Sequence, residues 1–343
     1  LDLSQAIKIN ANNAPALNNR GLAYWNVGRN DDAIADFDQA LKLDPKFAPA
    51  YLNRGVSHYD KRDYNRAIAD FDQAIKFNPN SASAFHERGL AYRDKGDSGS
   101  AIADFDRAIK LDPKFAAAYS SRGVAYSRRS DFTRALADLD NAIRIDGKFA
   151  GAYNDRGLVN AASGKPDRAI VDFTQAIRIN PDYDVAYNNR ALIYRGKGEI
   201  DRAIADFDQA VKINPKYEAA YSNRAQIYRE KGDLDRAIAD LTHAIAANPN
   251  YDVAYRNRGQ AQRSKGQIDA AIGDFEAAIK LKPNEGANYF DLGSALAEKQ
   301  DYDRAIASFD QAIKHNPGNA TAQAALRSAS GTYGGANGQP SKT

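Results

Sequence analysis

Apolar and small residues recur along the chain at helical spacing, in pairs of short stretches separated by a break. Between Ser81 and Phe115 the pattern is plain: Phe85, Gly89 and Tyr92 share one face of a first helix, and Ala101, Phe105 and Ala108 share one face of a second. Gly96 predicts the break between them. Pro113 predicts the end of the second helix, because proline has no N–H to give and its ring clashes with the preceding turn. Gly89, Ala101 and Ala108 take up little volume where the helices would cross, and Phe85, Tyr92 and Phe105 fill the space on either side. A single hairpin of this size leaves much of its apolar surface uncovered, and stacked copies would cover it.

Copies are present. Pro45, Pro79, Pro113, Pro181, Pro215, Pro249, Pro283 and Pro317 stand on one 34-residue grid, with Gly147 at the vacant place. Alanines run on the same grid from Ala33 to Ala305. Each is followed four residues later by phenylalanine or leucine, from Phe37 to Phe309, and then by a second alanine, from Ala40 to Ala312. This spacing resembles the tetratricopeptide repeat, whose aromatic, glycine, tyrosine, alanine, phenylalanine, alanine and proline positions are matched by Phe85, Gly89, Tyr92, Ala101, Phe105, Ala108 and Pro113. The resemblance covers residues 14–319 as nine units: 14–47, 48–81, 82–115, 116–149, 150–183, 184–217, 218–251, 252–285 and 286–319. The expected fold is all-α, an α-solenoid. The resemblance implies a right-handed superhelix of helix-turn-helix repeats, its first helices lining a concave wall and nine units making about one full turn.

The two ends carry separate expectations. Residues 320–329 read as a capping helix, with Gln323 and Arg327 replacing the aromatic and the glycine, and 330–343 as a disordered tail. In residues 1–13, Leu3, Ala6, Ile7 and Ile9 keep the phase of a second helix and read as the remnant of a preceding repeat. A chain that begins at Leu1 and lacks methionine reads as one from which something upstream was removed.

One substitution is paired. Where the family has leucine before the glycine, eight units carry Arg20, Arg54, Arg88, Arg122, Arg156, Arg190, Arg224 and Arg258. Their second helices carry Asp36, Asp70, Asp104, Asp138, Asp172, Asp206, Asp240 and Asp274. The ninth unit changes both, to Leu292 and Ser308. The joint change predicts an arginine–aspartate pair across the helix interface, within a unit or to the next, since an unpaired guanidinium at a packing position is costly. An arginine ladder for an anionic ligand is the alternative. The fifth unit departs most from its siblings: Gly147, Gly151, Asn160 and the run Ala161 to Ser163 predict loose packing and a compliant joint over 147–166.

Candidate binding residues lie on the first helices. Asn19, Asn53, Asn189, Asn223 and Asn257 share one repeat position, and an amide that both donates and accepts could hold the backbone of an extended peptide. Further along, Trp25 and Tyr59 make the early wall apolar, while Arg195, Arg229 and Arg263, with Arg256, make the later wall basic. These residues predict a peptide with an apolar portion near units 1 and 2 and an acidic portion near units 6 to 8. A solvated polar face is the alternative reading. Some family members clamp a C-terminal carboxylate with lysine near the start of successive first helices. The resemblance does not extend to that clamp, because Pro15, Pro49, Ser83, Ala117 and Gly151 open the series here.

Composition narrows the classes. With 47 basic and 44 acidic residues the net charge is +3, too little to draw the chain to nucleic acid or an anionic membrane. No run of about 18 apolar residues calls for membrane insertion. The absence of cysteine excludes disulfides and thiol chemistry. His58, His86, His243 and His315 lack a second ligand at i+3 or i+4, no Gly-rich loop with Lys-Ser/Thr precedes a helix, and the aspartates are periodic. No cofactor, metal or catalytic residue is expected. The expected function is a protein-interaction scaffold holding a protein or peptide segment in its groove. The alternatives are a substrate-recruiting arm of a larger enzyme or signalling protein, and self-association through the uncovered N-terminal end. The chain reads as soluble, cytoplasmic, or periplasmic had a signal peptide preceded Leu1.

Overall fold

The protein is seen here as a computed structural model that describes residues 13–336. The expected remnant repeat up to residue 12 and residues 337–343 of the expected tail lie outside the described residues. All regular structure among those described is helical. The first hairpin pairs α1 (Ala14–Asn26) with α2 (Asn30–Leu43). The next four pair α3 (Ala48–Asp60) with α4 (Tyr64–Phe77), α5 (Ala82–Lys95) with α6 (Ser98–Leu111), α7 (Ala116–Arg128) with α8 (Phe132–Ile145), and α9 (Ala150–Ala162) with α10 (Pro166–Ile179). These form one unit, ending at Pro181. A second unit begins at Asp182 and holds α11 (Asp184–Gly196), α12 (Ile200–Ile213), α13 (Glu218–Glu230), α14 (Leu234–Ala247), α15 (Asp252–Ser264), α16 (Ile268–Leu281), α17 (Gly286–Glu298), α18 (Tyr302–His315) and α19 (Ala320–Ala336). The last helix continues past 329, so the expected disordered tail is helical up to Ala336. No proline before Pro340 stops it.

The turns follow from local chemistry. Gly96 ends α5 in the left-handed conformation, with φ of 97°, and the next residue, Asp97, caps α6 by accepting from the Ser100 N–H at 3.0 Å. After α6, Asp112 is extended ahead of Pro113 and accepts from the Lys114 N–H at 2.9 Å. At Gly147, where the proline is missing, Asp146 holds almost the same angles and accepts from the Lys148 N–H at 2.9 Å. The aspartate sets this turn without the proline.

Each hairpin closes over a small apolar interface. Ala101, Phe105 and Ala108 are wholly buried, as are their counterparts Ala33, Phe37 and Ala40. A Cβ at Gly89 would stand 2.6 Å from Phe105 Cε1, so the glycine is what admits the ring. Burial of each such phenylalanine contributes about 1.5–3 kcal/mol. Within each unit the second helices pack against their own first helix and the next one, and first helices also touch along the stack.

The arginines form a clamp across this interface. Arg54 donates through Nε and Nη2 to both oxygens of Asp70, at 2.9 and 2.6 Å, and through Nη1 to Asp38 of the preceding repeat at 2.5 Å. Arg88, Arg122, Arg156 and Arg224 repeat both links, to Asp104, Asp138, Asp172 and Asp240 and back to Asp72, Asp106, Asp140 and Asp208. Arg20 and Arg190 grip Asp36 and Asp206 with the same fork; Arg258 grips Asp274 and reaches Thr242, which stands in the place of the earlier aspartate. The pairing is therefore within a repeat, and the second carboxylate comes from the repeat before, not the one after. The hydrogen bonds that Arg54 donates to Asp70 hold its guanidinium above its ordinary pKa. In the ninth repeat Ser308 donates to its own helix at Arg304 O, and Glu276, left without an arginine at 292, takes Arg304 at 2.6 Å.

Candidate partner-binding surface

The first helices are joined by a second set of side-chain bonds, spaced 35 residues apart. A residue on one first helix meets the residue one step further along the next, because each helix is offset by one position from its predecessor. In the first unit Asn53 Nδ2 donates to Asn18 Oδ1 at 2.8 Å, His86 Nε2 meets Ser121 Oγ at 3.0 Å, and Ser120 Oγ donates to Asp155 at 2.9 Å. In the second unit Asn223 donates to Asn188 at 3.0 Å and Asn257 to Ser222 at 3.5 Å. Asn189 accepts from Asn188 at 3.4 Å, and Asn19 is exposed. The expected asparagine row thus spends part of its capacity on the neighbouring repeat, although each amide has two donors and two acceptor sites to divide.

Nearer the C-terminal ends of the first helices the ladder changes chemistry. Trp25 Nε1 donates to Asp60 at 2.6 Å, and Tyr59 Oη to Asp94 at 2.5 Å. Burial, reinforced by that bond, drives the Tyr59 phenol far above its ordinary pKa. Burial opposes ionisation of Asp94, but the hydrogen bonds from Arg93 and Tyr59 outweigh it and hold the carboxyl low. In the second unit Arg195 binds Glu230 at 2.5 Å and Gln226 at 2.7 Å, Arg256 binds Asp291 at 2.6 Å, and Arg263 binds Glu298 at 2.5 Å. The later wall is charge-paired, not simply basic. Arg229 differs: its Nη1 donates to the neutral Gln260 at 2.5 Å, Ser264 stands where the siblings have glutamate, and no carboxylate pairs with it among the described residues. It opens onto a cavity of about 530 Å³ lined also by Gln260, Arg263, Ser264, Asp291 and Glu298.

Sequence reasoning named one rung of each ladder and missed the other: Asn18, Asn188 and Ser222, and the acids Asp60, Asp94, Glu230 and Glu298. The signal was present as complementary residue types one position beyond the grid. Among the described residues no group of three His, Asp or Glu side chains could hold a metal ion, and no helix is long and apolar enough to cross a membrane.

A family model for the tetratricopeptide repeat matches residues 18–82, 121–185 and 222–286, more than half of the chain. The chain belongs to the tetratricopeptide repeat family. Further models with the same description match 185–217 and 262–329, and a TPR repeat model matches 89–130. No curated protein matches the chain. Among solved structures, the tetratricopeptide repeats superpose on the APC/C hetero-tetramer Cut9-Hcn1 with a TM-score of 0.58 and 15% identity, covering 96% of this chain and 80% of that one. A tetratricopeptide repeat protein from Parabacteroides merdae superposes at 0.51 and 20% identity, covering 73% of this chain and 99% of that one. At these identities the likeness shows the fold alone. Stacked tetratricopeptide repeats make the chain a scaffold for protein interaction.

Proposed function

We propose that the scaffold receives an extended partner segment on its first-helix walls, and that an acidic residue of that segment pairs with Arg229. The supporting observation is the guanidinium of Arg229, held by Gln260 at the edge of an open cavity while its neighbours in the row face carboxylates of the next repeat. An incoming carboxylate would complete there the bond that Glu230 and Glu298 supply elsewhere, with both fork donors available for bidentate contact. Asn223 and Asn257, on the same wall, have amide capacity left for the backbone of the segment. Around Trp25 and Tyr59 the wall offers ring faces, a surface suited to apolar side chains.

Selection of a random displayed peptide library against the intact chain tests this reading. The expected outcome is enrichment of Asp or Glu in the recovered peptides, and at least a tenfold loss of their affinity in Arg229→Glu. Recovered peptides without acidic residues, or equal affinity for the variant, contradict it.

A further inference from the structure

The fifth repeat lacks a tyrosine that repeats 4, 6 and 7 carry and keeps the arginine that lies over it. In repeats 4, 6 and 7, Tyr126, Tyr194 and Tyr228 lie beneath Arg134, Arg202 and Arg236, with guanidinium-to-ring distances of 4.5, 4.2 and 4.4 Å. Each of those arginines is also tied to an acid three residues earlier, Asp131, Glu199 or Asp233, at 2.5 Å. In the fifth repeat Asn160 replaces the tyrosine, Arg168 keeps the arginine, and Lys165 replaces the acid. Arg168 is exposed and makes no ion pair among the described residues.

Where the ring would sit there is a cavity of about 400 Å³, lined by Leu136, Asn160 and Val171, by the arginines Arg156 and Arg168, and by the aspartates Asp140, Asp167 and Asp172. Its walls are fixed. Asn160 donates to Asp172 at 2.8 Å, and Arg156 is clamped to Asp172 at 2.6 Å and Asp140 at 2.7 Å. Leu136 offers an apolar surface at the repeat position of Ile204, which packs against the cluster that holds Tyr228. Val171 adds an apolar rim, 67% exposed. A control lies in the ninth repeat, where Leu296 replaces the tyrosine and a cavity of about 310 Å³ opens at the same place. There Leu292 has displaced one arginine, and Arg304 is bound to Glu276 and Asp301, so the cationic frame is lost.

We propose that this cavity is a binding site for an aromatic side chain of a partner polypeptide, with an acidic residue beside it. The ring takes the place of the missing tyrosine under Arg168, and the carboxylate takes the place of the missing acid beside Arg168 and Lys165. The site lies between the second helices of repeats 4 and 5 and the first helix of repeat 5, which supplies Arg156 and Asn160, and it uses none of the wall residues named above.

The test uses the full chain and three probes followed by NMR: p-cresol, 4-hydroxyphenylacetate and acetate. Saturable binding of both aryl probes in the millimolar range is expected, with 4-hydroxyphenylacetate at least threefold tighter and acetate without effect. Asn160→Tyr fills the cavity with the side chain that repeats 4, 6 and 7 use and should abolish both. Arg168→Glu, at an exposed site, should leave the thermal midpoint unchanged and weaken 4-hydroxyphenylacetate at least tenfold. Aryl binding that survives Asn160→Tyr, an unchanged affinity in Arg168→Glu, or acetate binding as tightly as 4-hydroxyphenylacetate overturns the proposal.

Discussion

The first-helix wall of the unit ending at Pro181 and that of the unit beginning at Asp182 are built on one geometry and carry different chemistry. In the former, Trp25 and Tyr59 reach the aspartate of the next repeat. In the latter, Arg195 and Arg263 reach a glutamate from the same repeat position. Beneath both walls the arginine–aspartate clamp is constant from Arg20–Asp36 to Arg258–Asp274. The contrast separates two layers. One is repeated without change because it closes the helix interface; the other varies along the stack and sets what each stretch of surface can bind.

Breaking the constant layer should have the largest effect. Asp206→Asn leaves Arg190 with its fork half-matched in a closed interface, and a loss on the order of 3 kcal/mol is expected in urea unfolding. A change within about 0.5 kcal/mol would move the clamp into the same class as a surface ion pair. The variable layer should respond weakly in stability and strongly in binding. Glu298→Gln removes the carboxylate facing Arg263, so unfolding should shift by less than about 1 kcal/mol while affinity for acidic peptides rises. Falling affinity would mean that Glu298 itself contacts the partner.

The smallest expected effect lies at His58, which occupies the tyrosine position in the second repeat. Burial holds its pKa below the ordinary value, and its Nδ1 has no partner. A depressed histidine contributes stability above its unfolded pKa of about 6.5 and loses it as the pH falls through the folded value. His58→Tyr removes that dependence. Its stability advantage over the wild type should therefore widen from pH 7 to pH 5, and an equal difference at both pH values would contradict the assignment.

Hairpins, turns and the buried Ala-Phe-Ala faces were legible in the sequence because they repeat in register, so each position is read nine times. The joint loss of arginine and aspartate at Leu292 and Ser308 also announced the clamp. The second carboxylate at Asp38, Asp72 and Asp106 was overlooked, since it lies two residues beyond the first and belongs to the preceding repeat. The character of the later wall was misjudged for a similar reason. Counting Arg195, Arg229 and Arg263 by repeat position, with Arg256 beside them, gives a basic row, whereas the carboxylates that neutralise Arg195, Arg256 and Arg263 stand 35 residues on, on the next first helix. Missing volume at Asn160 was legible as lost bulk; that the arginines framing the vacancy stay in place required coordinates.

The central claim is that clamp and wall are separable, one serving the fold and the other the partner. The direct measurement compares Asp206→Asn and Arg229→Glu for unfolding midpoint and for affinity toward one acidic peptide selected on the wild type. Asp206→Asn should lose stability and, at temperatures where it remains folded, bind as the wild type does; Arg229→Glu should keep its midpoint and lose at least tenfold in affinity. Unimpaired binding by Arg229→Glu, together with impaired binding by folded Asp206→Asn, would contradict the account.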